Sequence, residues 1–356
     1  MDIDQPPPSK APLTKVSDII SSFRPSKQFK SPATYTSLDF DDSGEFSLLA
    51  RTDDTIQLYN VRAGAHAKEL KSQKYGAALA RFTHNSTNII YASTKVDHGI
   101  RYLCMHDNSF IRYFRGHEAR VTSLCLSPSN DTFLSASLDN TVRLWDCRTP
   151  NAQAQLNFHS AYLTAFDPSA TVIAIASPPA QTVCLYDLKN YDKAPFASFD
   201  LLETEKKYAK SHGMREGEGW TGMEFSNNGK YLLITTNGTG HWVLDAFDGK
   251  LLHLLHRPSG STPFLAPGDP LPGSDSSTTT YTQADAAFSP DGRYVLSGNG
   301  GQTGLLVWDM EANGTVLEPM CDLPSQRPAS VVAYNPRHNL VASAEKEVLL
   351  WLPDPD

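Results

Sequence analysis

Much of the equipment of an enzyme, a secreted protein or a nucleic-acid binder is missing from this 356-residue chain. Cysteine is scarce: Cys104, Cys125, Cys147, Cys184 and Cys321 are scattered and form no CxxC pair. That spacing argues against a zinc ribbon or redox pair and reads as reduced, packed thiols of an intracellular protein. No apolar run is long enough to cross a bilayer, so no membrane contact is expected. The opening MDIDQPPPSK lacks an apolar core, so no signal peptide is expected there. The sequons at Asn85, Asn130, Asn237 and Asn313 are therefore expected to stay unmodified. Positive charge is also short: 31 Lys and Arg face 39 Asp and Glu, a formal net charge of −8. Affinity for nucleic acid comes mainly from neutralising phosphates, so direct sequence-specific binding is not expected, although a local basic patch is compatible with this balance.

Catalytic signatures are absent too. The 11 histidines form no HExxH and no metal-ligand spacing, and neither a GxSxG elbow nor a P-loop occurs. His253 and His256 flank Leu254 and Leu255 and read as strand residues, not ligands. Gly298-Asn-Gly-Gly-Gln-Thr-Gly304 has the wrong glycine spacing for a dinucleotide fingerprint and joins two strands, so a hairpin turn is expected. No catalytic residue, cofactor or metal is assigned.

What is present is a repeat. From Gly116-His117 to Trp145-Asp146, three strand patterns (121–126, 132–137 and 141–146) are separated by Ser-Pro-Ser-Asn-Asp and Leu-Asp-Asn turns. This is one blade of a propeller. His117, Ser135, Asp139 and Trp145 are predicted to brace it as a hydrogen-bonded chain; their likeness to a Ser/His/Asp triad is discounted because these are the blade's structural positions. Weaker strand ends recur at Tyr59-Asn60, His106-Asp107, Tyr186-Asp187, Leu244-Asp245, Trp308-Asp309 and Trp351-Leu352. An aromatic followed by a tight turn marks Phe40, Phe166, Phe225, Phe288 and Tyr334. Spacing near 40–45 residues fits one blade each, and two longer intervals need insertions. With 24 Pro, 22 Gly and 40% apolar residues, the chain reads as an all-β, seven-bladed WD-repeat propeller over residues 15–356. The last repeat stops without an outer strand, and Ser26 to Lys30 is predicted to supply it, closing the ring and removing open sheet edges.

Residues 1–14 read as a flexible Pro-rich tail. Ser17 is the expected cap of a short helix whose Val16, Ile19, Ile20 and Phe23 share a face, most simply packed on the propeller flank. The insertions, 201–219 and 257–280, both fall in crossovers between blades and are expected to flank the fifth blade on one face. They are either functional loops or tolerated length variation.

Local strings carry more information than the Trp-Asp ends. Lys95-Val-Asp-His-Gly-Ile-Arg-Tyr-Leu103, His106-Asp107-Asn108, Ile111-Arg-Tyr-Phe114, Lys74-Tyr75-Gly76, Trp220-Thr221-Gly222, Thr236-Asn237-Gly238, Leu244-Asp245-Ala246-Phe247 and Trp351-Leu352-Pro353 span most of the chain. In these strings it closely resembles the small WD-repeat subunit shared by the Set-one-type COMPASS histone methyltransferase and the RNA cleavage and polyadenylation machinery. The resemblance implies a non-catalytic nuclear scaffold serving histone H3 lysine-4 methylation and transcription termination. The implied partners are the methyltransferase catalytic subunit, other COMPASS subunits, cleavage/polyadenylation and phosphatase complex subunits, and the phosphorylated tail of RNA polymerase II. The insertions and the Pro-rich start depart from the pattern.

Tyr75, Lys95, Arg120 and Trp220 fall in crossovers or hairpin turns on one predicted face, offering aromatic anchors and cations for an acidic or phosphorylated peptide. The plain alternative is that they are ordinary surface or packing residues. A rival function, substrate receptor of a cullin-type ubiquitin ligase, rests on Trp145-Asp146-Cys147-Arg148, with Arg148 exposed at the strand end to meet an adaptor.

Overall fold

Strands whose two faces both carry apolar residues must be covered on both sides, and a ring of sheets does this without leaving a bare face. The computed structural model describes residues 15–160, 162–212, 219–257, 286–299 and 303–354, so the tail at 1–14 and nearly all of the second insertion lie outside the described residues. Seven sheets follow one another along the chain, each built on four antiparallel strands. Blade 3 shows the plan: innermost strand Val121–Leu126, second strand Thr132–Ser137, third strand Thr141–Asp146 and outer strand Ala154–Asn157.

Seven apolar clusters fill the seven gaps between neighbouring blades. Phe114, Phe133 and Trp145 lie between blades 2 and 3, and Trp220, Leu232 and Leu185 between blades 4 and 5. Tyr35 and Leu38 of blade 1 close the ring against Val348 and Leu350 of blade 7. Trp145, Trp220, Trp308 and Trp351 are among the largest fully buried side chains. Innermost strands are also tied across gaps: the Ala80 N–H donates to Ser37 Oγ (3.1 Å), and the Phe82 N–H to Asp39 Oδ2 (2.8 Å).

The predicted closing strand is present and longer than expected. Phe23–Lys30 pairs antiparallel with Glu347–Pro353 as the outer strand of blade 7, with Phe23 opposite Pro353. Helix α1 (Val16–Ser21) precedes it and buries Ile20 against blades 6 and 7. Ser17 is not its cap. The helix begins two residues earlier than a Ser17 cap requires, Lys15 occupies the cap position, and the Asp18 carboxylate accepts the Lys15 N–H (3.3 Å).

Register corrects one repeat. In blade 3 Phe133 faces Trp145, and in blade 2 the matching Ile89 faces Leu103 and Asn88 faces Cys104. Leu103-Cys104 is therefore the strand end, and His106-Asp107 lies in the following turn, where Asp107 accepts the Ser109 N–H. An Asp in a turn and an Asp ending a strand look alike without pairing information.

Two further features were not foreseen. Part of the 201–219 insertion is a helix, α2 (Leu202–His212). Blade 5 carries a fifth strand, Val316–Leu317, drawn from the connection inside blade 6 and parallel to Leu251–His256. The Gly298–Gly304 segment does join paired strands, with Gly298 opposite Leu305.

Candidate partner-binding surface

Blade 3 is braced from inside. The Trp145 indole N–H donates to Ser135 Oγ (2.8 Å), Ser135 Oγ meets His117 Nε2 (2.7 Å), and His117 Nδ1 meets Asp139 Oδ2 (2.9 Å). Burial dominates at His117 and keeps its pKa below the usual imidazole value despite the pull of Asp139. At Asp139 burial is the largest single influence and acts upward. Hydrogen bonds from Thr141, His117 and the Glu118 N–H outweigh it and bring the carboxyl down to about 2. A neutral imidazole beside a carboxylate must donate Nδ1–H to it, so Nε2 accepts the Ser135 hydroxyl, whose oxygen in turn accepts the indole. The side-chain polar atoms of these four bracing residues are all bonded to one another or to their neighbours, and none faces outward as a nucleophile.

Blade 6 contains a counterpart that the sequence hid. Ser297 matches Ser135, and its Oγ meets Nε2 of His241 (2.9 Å), which comes from the third strand of blade 5 instead of a crossover. The imidazole of His241 packs edge-on to Trp308, as His117 does to Trp145. Nδ1 of His241 accepts the Thr236 N–H (3.1 Å), so the tautomer is the opposite of His117. Its pKa is held well below the ordinary value by complete burial and by the nearby Arg257. Only the middle Ser–His link of the blade 3 series recurs, without an Asp and with no partner for the Trp308 indole N–H among the described residues, so no sequence spacing announces this pair.

Two of the proposed contact residues are brought together. Tyr75 lies in the crossover between blades 1 and 2, and its carbonyl accepts the N–H groups of Thr94 (3.0 Å) and Lys95 (2.8 Å) in the hairpin turn of blade 2. Lys95 forms an ion pair with Asp54 of the adjacent turn in blade 1. Gly76 makes this approach possible: its φ is +72°, and a Cβ there would sit 1.7 Å from Thr94 Oγ1. Tyr75 is stacked under the Arg101 guanidinium (3.8 Å to the ring centroid), which Asp97 grips with two bonds of 3.0 Å. Phe110 packs edge-on to Tyr75, and Tyr113 follows it. Sequence reasoning passed over Arg101, Phe110 and Tyr113, because a strand pattern does not show which blade edge a side chain reaches.

The other candidates are placed differently. Arg120 is half-buried in the next crossover, where its carbonyl accepts the Leu138 N–H (2.9 Å). Arg148 is exposed at its strand end, with its guanidinium clamped by both oxygens of Asp146 (2.9 and 2.6 Å). Trp220 does not lie in an exposed loop. It starts the innermost strand of blade 5 and is fully buried, its indole N–H donating to Glu205 Oε1 (2.7 Å) beneath α2. The helix covers the ring that the sequence had placed at the surface.

The innermost strands surround an axial cavity of ≈420 Å³ lined by Asp39, Arg81, Cys125 and Glu224, among others. Burial raises Asp39 to about 6 and Glu224 to about 7, in both cases against the attraction of Arg81. Among the described residues no group of three His, Cys, Asp or Glu is placed to hold a metal ion, and no helix is long and apolar enough to cross a membrane. His253 Nδ1 meets the Gly314 carbonyl (2.8 Å) and His256 Nδ1 meets Glu318 (2.9 Å), which fastens the added strand of blade 5.

Known proteins place this arrangement in a lineage. Residues 108–146, which include the four bracing residues and the three inner strands of blade 3, match the family of the WD domain, G-beta repeat. The chain is 36% identical to the Set1 complex component swd2 of Schizosaccharomyces pombe, over 94% of its own length and 98% of that protein. The chain belongs to the Swd2 family of WD-repeat proteins. It is likewise 35% identical to WD repeat-containing protein 82 of Drosophila melanogaster (95% of this chain, 96% of that one). For the COMPASS component SWD2 of Saccharomyces cerevisiae the identity is 33%, over 94% and 95% of the two chains. Such end-to-end coverage means that the Swd2-family relationship includes all seven blades, not the one matched repeat alone.

Proposed function

We propose that this chain is a non-catalytic scaffold subunit of a nuclear COMPASS-type histone H3 lysine-4 methyltransferase complex. The observation that carries the reading is full-length similarity to two proteins named as components of the Set1 complex and of COMPASS. The finer part of the proposal, drawn from the family-like strings, is that the chain also serves RNA 3′-end processing and transcription termination and links them to the phosphorylated tail of RNA polymerase II. The face bearing Tyr75, Lys95 and Arg120 is assigned to partner contact; Trp220 is withdrawn from it because it is covered. Lys95 is held by Asp54, so an acidic or phosphorylated partner must compete with that carboxylate.

Affinity purification of the tagged chain from nuclear extract, with identification of co-purifying subunits, tests the proposal. The expected result is recovery of the methyltransferase catalytic subunit together with cleavage/polyadenylation and phosphatase subunits. Recovery of ubiquitin-ligase adaptor components alone overturns it. The surface assignment is tested separately with Lys95→Glu plus Arg120→Glu: capture of those subunits and of a Ser-phosphorylated polymerase-tail peptide should fall, and unchanged capture refutes it.

A further inference from the structure

Outer strands present unpaired backbone, and proteins blunt them by shortness, charge, proline or cover. Six blades here do so. Blade 1 ends in Ala65–Lys71, with Lys68, Glu69 and Lys71 along it; blades 3 and 4 have outer strands of 4 residues and blade 6 one of 3. Blade 5 is covered by its fifth strand, and blade 7 ends in a strand containing Pro25, Lys27 and Lys30.

Blade 2 differs: its outer strand carries one charge, Arg112, and a bulge, and keeps apolar residues on display. Its outer strand, Ser109–Phe114, is the last strand of its sheet and leaves Phe110, Ile111 and Tyr113 38%, 43% and 41% exposed. A register shift explains the display. Phe110 faces Leu103 and Arg112 faces Tyr102, so Ile111 is an unpaired bulge residue. In a regular strand, residues three apart point to opposite faces. The extra residue brings Phe110 and Tyr113 onto one face with rings 5.3 Å apart, leading to Tyr75.

Charge at this shelf is unbalanced. The charge of Arg101 is paired with Asp97 and that of Lys95 with Asp54. Lys74 and Arg115 are exposed, lie over the rings of Tyr75 (5.1 Å) and Tyr113 (5.8 Å), and make no ion pair among the described residues. Two surplus cations beside an apolar shelf, on a chain with a formal charge of −8, select an anionic occupant.

We propose that the outer edge of blade 2 is a docking site for an extended segment of a partner protein, an apolar anchor residue flanked by Asp or Glu. The anchor rests on Phe110, Ile111 and Tyr113, and the carboxylates meet Lys74 and Arg115. The site belongs to this chain's surface and does not depend on which complex takes the chain up.

The test is selection of random dodecapeptides displayed on phage against the full chain, with counter-selection on the Phe110→Ser, Tyr113→Ser double variant. Enriched peptides should carry an apolar residue bordered by acidic ones. By fluorescence anisotropy they should bind the wild type saturably and Lys74→Glu plus Arg115→Glu, which alters exposed positions and spares the fold, about tenfold or more weakly, the loss expected for two exposed charge contacts. Enrichment of basic sequences, equal binding to the charge-reversed variant, or no enrichment dependent on the two aromatics overturns the proposal. So does sedimentation showing that the wild type, but not Phe110→Ser, Tyr113→Ser, pairs with a second copy of itself through this edge.

Discussion

Replacing Ser135 with Ala should destabilise the protein more than the same change at Ser343, although both serines are buried on equivalent second strands. Ser135 Oγ serves two buried partners, the Trp145 indole at 2.8 Å and the His117 imidazole at 2.7 Å, whereas Ser343 Oγ serves the Trp351 indole at 2.8 Å. Leaving a buried polar group without a partner costs about 1–3 kcal/mol. Ser135→Ala strands two such groups, so its expected cost is about 2–6 kcal/mol, against about 1–3 kcal/mol for Ser343→Ala. Urea unfolding at pH 7.5, followed by tryptophan fluorescence and compared at constant m, measures both. A cost for Ser135→Ala below about 0.5 kcal/mol, or no larger than that of Ser343→Ala, would refute the bracing chain. The pH response has a definite sign. His117 is held below its ordinary value of 6.5 in the fold, so the unfolded chain binds the proton more readily. Its contribution is complete above pH 6.5 and is lost as the solution is acidified below it. Asp139, lowered from 3.8 to about 2, adds a second loss only between those values. The drop in stability from pH 7.5 to 5.5 should therefore be smaller in His117→Asn than in wild type.

Glu224 behaves in the opposite direction. Its carboxyl is raised from 4.5 to about 7 by burial in the axial cavity, so its contribution is present below pH 4.5 and is lost as pH rises through about 7. Glu224→Gln should raise the melting temperature at pH 8 relative to wild type, by a gain of at most about 3 kcal/mol, and change little at pH 4.5; equal shifts at both pH values would exclude this. Glu205→Ala removes the acceptor of the buried Trp220 indole and should cost about 1–3 kcal/mol, with faster amide exchange across 202–208 by mass spectrometry. Unchanged exchange would mean that other contacts pin α2. Gly76→Ala places a side chain at φ +72° and against Thr94, and should cost about 1–3 kcal/mol in thermal unfolding, relieved in part by Thr94→Ala. A neutral result would show that the crossover can move away.

Legibility followed the range of the interactions. Blade 3 could be read because all four bracing residues fall within one repeat, between His117 and Trp145. Its counterpart at His241, Ser297 and Trp308 could not, since one partner comes from a different blade and no short spacing encodes the pair. The closing strand was foreseen from a missing strand and a free one, a count that needs no geometry. Trp220 misled because a residue opening an innermost strand borders a crossover, and only α2 above it decides whether the ring sees solvent. The aromatic shelf was missed for a similar reason: a bulge at Ile111 changes which side chains share a face, and period-two reading assumes no bulge.

By itself the sequence determined the propeller, the number of blades, the closing strand and the family, because these depend on repeated local patterns and on strings that survive without coordinates. The tertiary structure alone decided which residues form the surface. Cross-blade contacts put Trp220 inside, paired Lys95 with Asp54, and set Lys74, Arg115, Phe110 and Tyr113 side by side on one edge. Those outcomes depend on register between strands and on neighbours some 15 to 40 residues away, and side-chain chemistry along the chain carries no record of either.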